Sequence, residues 1–141
     1  MKIAIASDHA GYLYKEEIKK NLQEKGHILL DSGAFSQESC DYPIFAHDAA
    51  NKVASGEAEI GILVCSSGEG IAIAANKVKG IRAGIAYNDD VARLMKQHNN
   101  ANMISFGANF MSLEDVLRRI DIFLEAKFEG GRHERRVNEI E

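Results

Sequence analysis

Short apolar runs rich in β-branched residues alternate along this chain with longer stretches whose apolar residues recur every three or four positions. The runs at residues 2–7, 27–30, 60–64, 81–87 and 101–106 predict five strands. Tyr14, Ile18 and Leu22 share a helix face that Gly26 ends. Asp41-Tyr42-Pro43 introduces a second helix, with Phe45, Ala49, Ala50 and Val53 as its apolar face and Gly56 as its stop. The small apolar residues 71–75 read as a buried helix start. Val91, Leu94, Met95 and His98 fall on one face of a fourth helix, with Asn88-Asp89-Asp90 as cap and acidic first turn. Ser112 and Asp115 have the spacing of a capping box for a last long helix, in which Leu113, Val116, Leu117, Ile120, Leu124 and Phe128 are the buried set and Gly130-Gly131 the break. Strands alternating with helices in this way predict βαβ units and a parallel sheet covered on both faces.

Ligands of such sheets bind outside the carboxyl ends of the strands. Asp8 and His9 follow the first strand, and Cys65-Ser66-Ser67-Gly68-Glu69-Gly70 follows the third, so one rim gathers both sets. The second stretch is a thiol, two hydroxyls and two glycines at a strand-to-helix junction. Unpaired N–H groups and the helix dipole favour an anion there, and glycines let a ligand approach the backbone. A thiol so placed carries thiolate character and can serve as base or nucleophile beside oxyanion donors. A buried structural cysteine before a tight turn is the plainer reading of the same residues. His98 ends its helix just before the fifth strand, which puts it at the opposite rim. It reaches Cys65 only if the helix bends back or a second subunit supplies it.

A chain of 141 residues suits one domain, and its 45% hydrophobic and 27% charged residues are those of an ordinary globular protein. A net charge of −4 argues against general nucleic-acid binding. Two cysteines in unrelated contexts make no disulfide framework. Without a charged-then-apolar leader or a bilayer-length apolar run, a cytosolic location with no membrane partner is expected. Metal is not expected, because the five histidines are scattered and no pair has ligand spacing on one element. The dinucleotide fingerprint fails at Ile73, no phosphate-binding glycine-lysine-hydroxyl run exists, and Ile71 stands where a cysteine phosphatase needs arginine. In the tail, residues 129–141, Arg132 and Arg136 share a face if the segment is helical. They fit a solvated terminus, or a guanidinium pair for a phosphate.

Taken together, Asp8-His9-Ala10-Gly11, Asp41-Tyr42-Pro43, Cys65-x-Ser67-Gly68-x-Gly70, Ala74-Ala75-Asn76-Lys77, His98-Asn99-Asn100-Ala101-Asn102 and Gly130-Gly131-Arg132-His133 resemble the ribose-5-phosphate isomerase B family nearly end to end. The related galactose-6-phosphate isomerase subunits share the fold but lose one or another of these motifs, and this chain keeps them all. The resemblance implies a three-layer Rossmann-like α/β/α sandwich with a five-stranded parallel sheet in order 2-1-3-5-4. It implies a homodimer, or a dimer of dimers, whose tails reach the partner's site. The implied reaction interconverts ribose 5-phosphate and ribulose 5-phosphate through an enediolate, without metal or organic cofactor. In it Cys65 would move the proton, and Ser67 with the N–H groups of Gly68 to Gly70 would hold the enediolate oxygens. Asp8 and His98 would open the sugar ring. Tyr42 and Asn99 would orient hydroxyls, and His9, Arg132 and Arg136 would bind the phosphate.

Departures from the family pattern bear on that reading. Ser66 replaces a frequent glycine. Glu69 brings a carboxylate that should point away from an enediolate. Asn109 stands in place of a phosphate-binding arginine, which leaves room for another sugar phosphate such as allose 6-phosphate or galactose 6-phosphate. Ile71 occupies the position of a glutamate base used by some members, so Cys65 is the one base candidate. A non-catalytic phospho-sugar sensor on the same scaffold is the rival from another class.

Overall fold

The computed structural model describes residues 1–141. In chain order the elements are β1 (Lys2–Ser7), α1 (Tyr12–Glu24), β2 (Ile28–Asp31), α2 (Tyr42–Ala54), β3 (Ile60–Cys65), α3 (Glu69–Asn76), β4 (Ala83–Ile85), α4 (Asp89–Gln97), β5 (Met103–Gly107), α5 (Leu113–Glu125) and α6 (Arg132–Asn138). The strands form one parallel sheet in the order β2-β1-β3-β5-β4. This is the expected architecture. No helix is long and apolar enough to cross a membrane.

Alternation along the central strands divides the core in two. Ile3, Ile5, Ile62, Val64, Ile104 and Phe106 face α1, α4 and α5, where Ile18, Leu22, Met95, Ile120 and Phe123 meet them. The other face carries Ala4, Ala6, Leu63 and Cys65 against Ala46, Ala49 and Ala50 of α2 and Ile71, Ala74 and Ala75 of α3. A fully buried Ile, Leu or Phe contributes roughly 1.5–3 kcal/mol, an added methyl roughly 0.8. The first face therefore supplies most of the burial energy. The alanine-rich second face instead lets α2 and α3 lie close to the sheet, and this brings the head of α3 down onto the end of β3.

Several details differ from expectation, the fifth strand among them, which is Met103–Gly107 rather than 101–106. The fourth strand is only Ala83–Ile85, because it is an edge strand and side chains take over its start: Asn102 Oδ1 accepts from the Arg82 N–H (2.8 Å) and Asn76 Oδ1 from the Ala83 N–H (2.7 Å). The last long helix ends at Glu125, so Phe128 lies beyond it in extended chain. Ser112 Oγ does accept from the Asp115 N–H (3.1 Å), but the Asp115 carboxylate turns to Arg118 (2.8 Å) rather than closing a capping box. The Asn88 cap forms as expected, accepting from the Val91 N–H.

Candidate active site

The carboxyl ends of β1 and β3 bring the first group of candidate residues together. Register pairs Ser7 with Val64, and the Asp8 N–H donates to the Val64 carbonyl. Asp8 is 7% exposed, and one carboxylate oxygen accepts from the Gly11 N–H (2.9 Å), starting α1. Cys65 is 5% exposed on the α2/α3 face. The Gly68 N–H donates to Cys65 Sγ at 3.1 Å, so the sulfur sits under the first amide of α3. That turn requires glycine: Gly68 has φ 85°, and a Cβ there would stand 2.9 Å from the Phe106 carbonyl carbon. Ser67 is exposed, and its Oγ accepts from the Glu69 N–H (3.2 Å), which leaves its hydroxyl proton free to donate. Gly70 faces the Tyr42 ring, whose Cζ would be 2.7 Å from an added Cβ. His9 Nδ1 accepts from the Cys40 N–H (3.3 Å), so the neutral ring carries its proton on Nε2 and points a donor outward. None of the chain's five cavities is lined by these residues; the rim is an open surface.

The departures also sit at this rim. Asn109 Nδ2 donates to Ser66 Oγ (2.6 Å), and the Asn109 N–H to the Ser66 carbonyl (3.0 Å). The two residues bind each other, a pairing that single-position reasoning did not foresee. Glu69 is exposed and makes no hydrogen bond through its carboxylate.

The second group lies at the other end of the sheet. His98 caps the carboxyl end of α4, and its N–H reaches the Leu94 carbonyl. The chain then enters β5 at Met103, which pairs with Gly61 at the start of β3, while Cys65 pairs with Gly107. Four strand steps of roughly 3.3 Å separate these pairs, about 13 Å. The tail is helical as α6, and it folds back onto this amino-end rim of its own chain. The Glu129 N–H donates to the Gln97 carbonyl (3.0 Å), and Glu141 Oε1 accepts from the Gly80 N–H (2.7 Å). A cavity of about 380 Å³ is lined by His98, Asn99, His133, Arg136, Val137 and Ile140, and Arg132 stands one turn before Arg136. One chain therefore holds two separate half-sets and does not bring His98 to Cys65.

His133 and Glu129 were missed as functional candidates, although their four-residue spacing was visible. The His133 ring stacks on that of His98 with centroids 4.2 Å apart and planes 9° from parallel. Burial, the neighbouring His98 and Arg132 hold His133 below the usual histidine range, against an opposing pull from Glu129. Metal was not expected from the scattered histidines, yet the ligand atoms of His98, Glu129 and His133 all lie within 4.8 Å of one another. Spacing among histidines alone does not reveal this group, because it joins His98 to a second stretch, Glu129 and His133, and one member is a carboxylate.

A parallel α/β sandwich with a thiol under a helix N-terminus at its carboxyl-end rim, and an imidazole and guanidinium cluster at the other, belongs to the Rossmann-like class that handles small anionic ligands. Residues 3–140 match the family described as Ribose/Galactose Isomerase, and the chain is a member of that family. It is 45% identical over 139 residues to ribose-5-phosphate isomerase B of Escherichia coli K12, covering 99% of this chain and 93% of that one. Among solved structures it is similar to ribose-5-phosphate isomerase B of Clostridium thermocellum, with TM-score 0.98, 46% identity and coverage of 99% and 95%. It is also similar to the Mycoplasma genitalium enzyme with bound ribulose-5-phosphate, with TM-score 0.94, 40% identity and coverage of 99% and 93%.

Proposed function

We propose that this protein interconverts D-ribose 5-phosphate and D-ribulose 5-phosphate, in the non-oxidative branch of the pentose phosphate pathway and in the cytoplasm. The observation that carries the reading is the Cys65 sulfur, 3.1 Å from the Gly68 N–H at the head of α3 with the Ser67 hydroxyl beside it. Asp8 and His98 open the furanose by moving protons between the ring oxygen and the anomeric hydroxyl. The Cys65 thiolate then takes the proton from C2 of the aldehyde; the electron pair forms the C1–C2 double bond and the carbonyl oxygen becomes the enediolate oxygen. The C2 hydroxyl proton passes to the C1 oxygen, and the thiol returns the carbon-bound proton to C1 as the C2 oxygen becomes the ketone, which leaves a C1 hydroxyl and restores the thiolate. Ser67 and the N–H groups from Gly68 to Gly70 face the oxygens where charge develops. Tyr42 and Asn99 orient sugar hydroxyls. His9 Nε2–H, Arg132 and Arg136 hold the phosphate. The relatives' names, and the ribulose-5-phosphate bound to the Mycoplasma genitalium structure, support this assignment.

The site is completed by a second copy. Since one chain keeps its two half-sets about 13 Å apart or more along the strands, we place Cys65 of one subunit against His98 and the tail of its neighbour in a homodimer. Ile44 on α2 and Ile73 on α3 are 69% and 62% exposed, and they supply apolar surface on the thiol side for a partner to cover. The self-bonded Ser66–Asn109 pair favours a second reading, a different phosphorylated sugar, because Asn109 is not free for the phosphate. A panel of ribose 5-phosphate, allose 6-phosphate and galactose 6-phosphate ranks them by kcat/KM. The direct test is turnover of Cys65→Ala, expected to fall at least about a hundredfold with the fold unchanged by circular dichroism. Full activity in that variant removes Cys65 as the base.

A further inference from the structure

The amino-end rim holds a second chemistry: we propose that His98, Glu129 and His133 form a site for a borderline divalent cation such as Zn²⁺, and that an ion bound there withdraws His98 from the sugar reaction. Glu129 Oε1 lies 3.6 Å from His98 Nε2 and 3.6 Å from His133 Nε2. Donors at roughly 2.0–2.1 Å from a tetrahedral zinc stand about 3.4 Å from one another. Two edges of the donor triangle are therefore close to that spacing, and the third lies within 4.8 Å. Two imidazoles and one carboxylate are a donor set that zinc uses when it keeps one position open.

The backbone holds the trio in place. The Glu129 N–H bonded to the Gln97 carbonyl ties the tail to the residue before His98, and the His133 N–H bonds the Gly130 carbonyl (3.1 Å). Stacked rings cannot both aim an in-plane lone pair at one ion, so one ring must turn. His98 is the one with room: its side chain is 39% exposed against 11% for His133. The open fourth position looks into the cavity of about 380 Å³ shared with Asn99 and Arg136. Water or a phosphate oxygen fills it there. Arg136 and Arg132 oppose a cation, so the affinity is on the order of micromolar, far weaker than that of a structural zinc.

The binding stands on this cluster with the His98 ring turned; the inhibition rests on the proposed role of His98. Zinc titrated into the full chain against a chromophoric chelator should show one equivalent per chain bound with micromolar affinity. That affinity should fall at least about tenfold in Glu129→Gln and in His133→Ala. Glu129 is 51% exposed on its side chain, so its substitution tests the site even if the histidine variant folds poorly. Zinc should inhibit turnover with the same concentration dependence, reversed by EDTA, and Glu129→Gln should need about ten times more metal for the same inhibition. Unchanged affinity in Glu129→Gln overturns the site. Zinc held by the trio with turnover undiminished overturns the inhibition and the ring-opening role of His98, and leaves the separate Cys65→Ala test of the isomerase reading untouched.

Discussion

The carboxyl-end rim and the amino-end rim of this sheet are built differently. Around Cys65 the thiol and Asp8 are buried and tied by backbone beneath exposed Ser67 and Glu69: the Gly68 amide on the sulfur, the Ser105 hydroxyl donating to the Gly68 carbonyl (2.7 Å), and the Gly11 amide on Asp8. At the carboxyl end of β2, Lys15, with no side-chain exposure, lies 2.6 Å from Asp31 and 2.9 Å from Glu16, over the rings of Tyr12 and Phe35. Around His98 the side chains are half open to solvent and belong to the last stretch of the chain, held by a stacked ring and a few hydrogen bonds. The first rim can hold a small reactive group to a fraction of an ångström. The second has room to adjust. In the proposed homodimer one rim of each kind would meet, a fixed base from one chain and an adaptable anion grip from the other.

Breaking the two rims in separate chains gives the largest effect. Cys65→Ala and His98→Ala should each be nearly inactive. Co-expressed and assembled at random, they should recover about a quarter of the unaltered activity, because half of the dimers are mixed and each mixed dimer has one intact site. No recovery, with mixed dimers confirmed by native mass spectrometry, would place both groups in one chain's site.

Removing the brace at the carboxyl end of β2 comes next. Asp31→Asn leaves buried Lys15 with Glu16 (2.9 Å) as its one remaining carboxylate and should cost about 2 kcal/mol in urea unfolding. Burial alone would raise the Asp31 pKa, but bonds from Lys15, Lys19 and the Gly33 N–H bring it below the usual carboxylate range. The stabilisation is therefore complete above the unfolded value of about 3.9 and is lost as pH falls through the lower folded value. The gap between the two proteins should close on acidification below about pH 4; a gap independent of pH would mean that the charge is not its source.

Glycine substitutions contrast the rims directly. Gly68→Ala should cost roughly 2 kcal/mol or more from its left-handed φ, with an added clash at Phe106 and a loss of turnover as the amide leaves the sulfur. Gly130→Ala, at φ 69° with nothing within 4 Å, should show the conformational cost alone. Equal losses of turnover would erase the distinction between a rigid and an adaptable rim. The smallest effect is expected for Arg136→Ala: KM for ribose 5-phosphate up about tenfold and kcat little changed, since a phosphate grip is largely uniform binding. A large fall in kcat at constant KM would give Arg136 another role.

Much of this was legible in the residues. Periodicity placed five strands and their helices, and the thiol-glycine junction at the end of the third strand followed from composition alone, because local spacing reports which face a side chain takes. The strand ends fixed by side chains of Asn76 and Asn102 were not, since they depend on residues about seven and twenty positions away meeting at a sheet edge. Tertiary structure alone decided that α6 folds back onto its own His98, that His133 stacks there with Glu129 Oε1 beside both rings, and that Ser66 and Asn109, 43 positions apart, satisfy each other. A chain's local pattern sets what each segment can bury; which distant polar groups then meet depends on how the buried faces stack, and no single stretch of sequence contains that information.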